Sequence, residues 1–134
     1  VYSVDGCLVS HFHGRRLELS QVLLNLISNS IHAVKDCEEK EIQIEIVEAD
    51  ENITIKVSDS GPALCEEAKE KMMEPFFTTK PPGVGTGLGL SLSREMMQFM
   101  GGNLEFMPKE ERTSFLITLP KAKENSQKAD ENVA

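Results

Sequence analysis

The stretch that organises the chain is Glu74–Ser93, EPFFTTKPPGVGTGLGLSLS. Gly85, Gly87 and Gly89 stand at alternate positions and run into Leu88–Met100. The apolar spacing there predicts a helix, with Gly101-Gly102 placed as its C-terminal cap. Alternate glycines let backbone N–H groups crowd an anion with no Cβ in the way. The helix start adds unpaired N–H groups and the positive end of its dipole. The loop therefore has the build of a phosphate cradle; taken alone, a hinge in front of a helix is equally compatible with it. No Gly-Lys-Ser/Thr occurs, so it is not a P-loop. The G-x-G-x-x-G fingerprint fails as well, because the sixth position from Gly85 is Leu90 and from Gly83 is Leu88.

Working outward, Leu19, Val22, Leu23, Leu26, Ile27, Ile31 and Val34 recur at helical spacing and predict a helix over Leu17–Lys35. Ile42, Ile44 and Ile46 alternate with polar residues, as do Ile53, Ile55 and Val57, which predicts a hairpin turning near ADEN. A short helix is expected over Glu66–Met73, ended by Pro75. Strands are expected at Asn103–Met107 and Ser114–Leu119, and one or two short ones within Val1–Val9. The order implies an α+β fold: two layers, with helices on one face of a mostly antiparallel sheet. The expected domain is 1–120. Residues 121–134, without apolar period, read as a disordered tail or linker.

The chain has 134 residues and a net charge of −8, enough for one core and too acidic for general nucleic-acid binding. No apolar run approaches the roughly 20 residues that span a bilayer. Cys7, Cys37 and Cys65 are odd in number and form no CxxC, so they read as thiols in a reducing cytosol.

Gln21, Asn25, Asn29 and His32 form a polar stripe on the first long helix, read as lying opposite the leucines. A solvated face in so acidic a chain would more often carry Glu and Lys. Asn is a weak helix former, so two of them one turn apart point to a ligand. An amide oxygen suits magnesium, whose remaining charge is met by phosphate oxygens and water. Asp59 sits past a strand beside Gly61, where a carboxylate can accept from an exocyclic amine such as that of adenine; by itself it is a turn residue.

Together and in this order, QVLLNLISNSIHAV, DSGPAL, EPFFTTK and GTGLGLSLS resemble the N box, first glycine box, F box and second glycine box of bacterial sensor histidine kinases. The resemblance is to their catalytic ATP-binding domain, within the ATPase group that includes gyrase, Hsp90 and MutL. TSFLITLP resembles the final strand, and the match runs from about Leu17 to Pro120. The resemblance implies a sandwich of about five strands and three helices with a nucleotide lid, and ATP and Mg2+ as cofactors. It implies magnesium on Asn29, with Asn25 a second candidate near metal and phosphate, and His32 reaching toward the phosphates. It places adenine on Asp59 beside Gly61, a lid containing Phe76, Phe77 and Lys80, and phosphates on Gly85, Gly87, Leu88 and Gly89. Thr113, on the last strand, belongs to the same implied nucleotide site.

Three positions depart from the family pattern: Ala63 replaces the second glycine of D-x-G-x-G, His32 stands where Asp is frequent, and Arg112 stands where Gly is usual before Thr113. Arg112 reads as a turn difference with no catalytic meaning. The implied partners are the phosphoacceptor-histidine dimerisation domain of the parent kinase and a response regulator, with no nucleic acid and no membrane contact. The implied setting is the cytoplasm, and a membrane-tethered parent is compatible with it. The fragment is expected to be monomeric and not to phosphorylate itself, since His11 and His13 lack the acidic helical context of a phosphoacceptor. An anti-sigma-type serine kinase of the same fold, a non-catalytic nucleotide-binding module and a scaffold whose loop is only a hinge are the competing readings.

Overall fold

The computed structural model describes residues 2–5, 16–77 and 89–121. Its elements are β1 (Tyr2–Asp5), α1 (Arg16–Val34), β2 (Ile42–Glu48), β3 (Asn52–Asp59), α2 (Glu66–Lys71), α3 (Gly89–Phe99), β4 (Asn103–Phe106) and β5 (Thr113–Pro120). They form one five-stranded sheet in the order β1-β2-β3-β5-β4. β1 joins β2 in parallel, and every other pairing is antiparallel. The expected mixed, mostly antiparallel sheet with helices on one face is thus observed.

The period of two along β3 separates the sheet's faces. Ile53, Ile55 and Val57 are buried on the helix side, where Ile55 and Val57 join a core with Val22 and Leu26 of α1, Met97 of α3, and Leu104, Phe115, Ile117 and Leu119 of the adjoining strands. Met72 and Met73, just after α2, pack against the same core. On the outer face Lys56 lies 3.2 Å from Glu45 and 3.7 Å from Glu110, so polar partners occupy the side that, among the described residues, no helix covers.

α1 departs from its predicted face. Ile31, expected in the core, is 47% exposed, and Leu24 is 62% exposed, whereas Ser30 is buried. The polar stripe is therefore not opposite the apolar one. Asn25, Asn29 and His32 are half-buried at the flank of the core face, and the outward side carries Leu17, Leu24 and Ile31. The physical reason is packing: Val22, Leu26 and Val34 are the buried apolar residues of α1, and Ser30, in line with them at a spacing of four, is brought against the buried Asp59 carboxyl.

α3 ends as expected. Gly101 adopts φ 81°, its N–H reaches the Gln98 carbonyl at 3.0 Å, and the Gly102 N–H reaches Met97 at 2.8 Å. A Cβ on Gly102 would overlap the carbonyl oxygen of Thr118 in β5. Gly102→Ala is accordingly expected to cost about 1–3 kcal/mol of stability; urea unfolding measures it, and an unchanged midpoint contradicts it. At the far end Lys121 still bonds Glu51 through its N–H at 2.8 Å and forms an ion pair with Glu48. Sheet contact thus runs one residue past the expected boundary at 120, and residues 122–134 of the expected tail lie outside the described residues.

Candidate functional site

The site is built along one side of α1. Midway along the helix, the Asn25 amide lies against the first turns of α3. Its Nδ2 donates to the Ser93 hydroxyl at 2.8 Å. A Cβ on Gly89 would stand 2.8 Å from that Nδ2 and 2.9 Å from the Asn25 Oδ1, so glycine is what lets the two helices close here. Asn29 follows one turn on, half-buried, and His32 lies further along. Near the C-terminal end of α1, a Cβ on Gly61 would stand 2.8 Å from the Ala33 Cβ and 2.8 Å from the Asp59 Oδ1. The turn after β3 therefore presses directly onto the helix.

Asp59 is the chemically pointed residue. It is 3% exposed, at the end of β3. Its Oδ1 accepts the Gly61 N–H at 2.9 Å, and its side chain also takes a bond from Ser30. Burial pushes its pKa above the ordinary carboxylate value, against the hydrogen bonds from Gly61 and Ser30 and the more distant charge of Arg112, which pull it down. A carboxyl kept buried with two donors already bound has little purpose in packing; it fits one further donor. Thr113 is its direct neighbour in β5, and Ile42 its neighbour in β2.

Arg112 does more than change a turn. Its guanidinium bonds Glu41 at 2.5 Å and Glu39 at 2.8 Å, reaching from the start of β5 to the segment before β2. Ser60 completes this clasp: its hydroxyl bonds the Glu41 N–H and the Glu39 carbonyl at 2.9 Å each. Beneath it, Ser58 and Ser114 pair through their hydroxyls at 2.9 Å. The strand ends that carry Asp59 and Thr113 are thereby tied across the outer face.

Phe77 is half-buried after α2, whereas Phe76 is exposed and sits at φ 68°, a left-handed conformation that a bulky residue seldom adopts. Ala63 is exposed. Lys80, Gly85, Gly87 and Leu88 lie outside the described residues, as do His11 and His13. Asn25, Asn29, Asp59, Gly61, Gly89 and Thr113 are arranged around α1 and the strand ends beside it. Ser30 and Ser93 were missed in the sequence. Ser93 was detectable only as a small residue one turn after Gly89, and Ser30 only as a polar residue breaking the apolar stripe.

Residues 14–123 match the family described as histidine kinase-, DNA gyrase B-, and HSP90-like ATPase. The chain belongs to that family. Among its relatives it is 38% identical over 109 residues to the C4-dicarboxylate transport sensor protein DctB of Rhizobium meliloti, covering 81% of this chain and 17% of that protein. It is 35% identical over 115 residues to the sensor protein FixL of Bradyrhizobium diazoefficiens, covering 82% of this chain and 22% of the relative. Among solved structures, the catalytic domain of the histidine kinase ThkA in a nucleotide-free form superposes with a TM-score of 0.74 at 34% identity, covering 91% of this chain and 79% of that one. The chain thus spans about a fifth of the length of these sensor proteins and corresponds to the catalytic ATPase domain of a histidine kinase. Among the described residues no helix is long and apolar enough to cross a membrane.

Proposed function

We propose that this domain binds ATP with magnesium and hands the γ-phosphoryl group to a histidine on a separate dimerisation hairpin of its parent sensor kinase, which in turn serves a response regulator in the cytoplasm. The observation that carries the reading is Asp59, buried at one end of α1 with its carboxyl held by Gly61 and Ser30. Midway along α1, Asn25 meets the first turns of α3.

Asp59 would accept the exocyclic amine of adenine, with Gly61 and Thr113 shaping its surroundings. From Asn25 to Ala33 is eight residues, about 12 Å along a helix, which suits an extended nucleoside triphosphate lying alongside. The phosphates would then reach the start of α3, where Gly85, Gly87, Leu88 and Gly89 offer backbone N–H groups, with Lys80 and His32 as cationic partners and Phe77 in the lid.

The donor chemistry fits magnesium. Among the described residues no three acid, histidine or cysteine side chains converge, so a divalent ion would take an Asn29 amide oxygen and, for charge, the phosphates themselves. Bound there, it would neutralise charge that develops on the transferred group. Asn25 cannot accept a proton, so the site holds no base at this position to activate water and favours transfer to a protein nucleophile.

Calorimetry with ATP, with and without magnesium, tests the first half: binding that strengthens with magnesium is expected. Mixing the domain with the parent's hairpin and γ-labelled ATP tests the second. Label should appear on a hairpin histidine; label on this chain alone, or on a serine, overturns the assignment.

A further inference from the structure

We infer that Ser93 is a positioning residue for the phosphate end of the site, acting through Asn25; the inference rests on the ATP-binding reading above. Ser93 is 2% exposed on α3, one turn before the buried Met97. A hydroxyl in so apolar a position is unfavourable unless it is bonded. It is bonded to the Asn25 Nδ2, at 2.8 Å.

The notch that receives the amide has two halves. Gly89, one turn earlier on the same side of α3, leaves out the side chain that would otherwise meet the amide at 2.8–2.9 Å. Ser93 supplies the acceptor. The amide of α1 is therefore bonded to Ser93 through its Nδ2 and fits against α3 only because Gly89 carries no Cβ. This link fixes how far the start of α3, with its phosphate-facing N–H groups, stands from Asn29. Removing the hydroxyl leaves a half-buried amide N–H without this acceptor and lets the amide turn.

The test uses this chain. Ser93→Ala and the parent are titrated with magnesium ATP and with AMP, in the Asn25 and the Asn25→Ala backgrounds. Ser93→Ala should weaken ATP about tenfold, the worth of one hydrogen bond. AMP, which ends at the α-phosphate, should change by less than about twofold. In the Asn25→Ala background the ATP effect of Ser93→Ala should vanish, because the partner through which it acts is gone. Equal losses for ATP and AMP, full additivity of the two substitutions, or unchanged ATP binding each overturn the inference. If the parent itself binds no ATP, the functional reading fails first, and the ligand-free protein decides the geometry. The two side-chain amide proton signals of Asn25 should exchange faster with water in Ser93→Ala, and unchanged exchange refutes the link.

Discussion

Asp59→Asn is expected to bind ATP about 100-fold more weakly than the parent while melting roughly 3–6 °C higher at pH 7. The two effects have one cause. The Asp59 Oδ1 accepts the Gly61 N–H, and an asparagine must keep its carbonyl oxygen there. Its NH2 then occupies the remaining position, where the adenine amine would donate, and donor meets donor. For stability, burial raises the Asp59 pKa from its ordinary value of 3.8, so the folded chain holds this proton more tightly than the unfolded chain does. The contribution is fully present below that ordinary value and is lost as pH rises through the raised one. The neutral amide carries no such loss, which places the variant among stabilising exchanges at a functional position, worth about 1 kcal/mol. Melting curves from pH 4 to 8 should show the gap between variant and parent opening as pH rises. A gap that opens toward acid, or ATP affinity that survives, contradicts the account.

Asn29→Ala should lower phosphoryl transfer to the hairpin by about 10²- to 10³-fold, the scale on which a single charge-stabilising contact acts. Binding in the presence of a chelator should hardly change, because the base end of the site is untouched. The magnesium enhancement of affinity should disappear. Asn29 is half-buried beside the core, so circular dichroism should confirm that the variant folds. An enhancement equal to the parent's would remove Asn29 from the metal site.

Local periodicity carried most of the fold. The alternation of Ile42, Ile44 and Ile46 against Ile53, Ile55 and Val57 placed β2 and β3, and Gly101-Gly102 marked the cap of α3, whose last helical residue is Phe99 where Met100 is expected. What pattern could not supply was non-local. That β1 would add in parallel to β2, and that β5 would insert between β3 and β4, depend on pairings distant in sequence. The stripe on α1 was misplaced for a related reason: Ser30 looks like a surface residue until Asp59 is brought against it from β3. Four ordered motifs singled out the candidate residues, but not the side chains that hold them. Ser93 and the Arg112 clasp with Glu39 and Glu41 are side-chain choices whose partners lie on other elements.

One helix carries both ends of the site, and this has a consequence for sequence change. Asn25 faces α3, and Ser30 and Ala33 face the strand end, on a single rigid rod. One inserted residue between Asn25 and Asn29 would rotate everything beyond it by about 100° and advance it by about 1.5 Å. Insertions in the β2–β3 turn or the β4–β5 turn should be absorbed. In α1 the reading frame of the helix is itself the ruler, and a single-residue insertion there would put the two halves of the site out of phase.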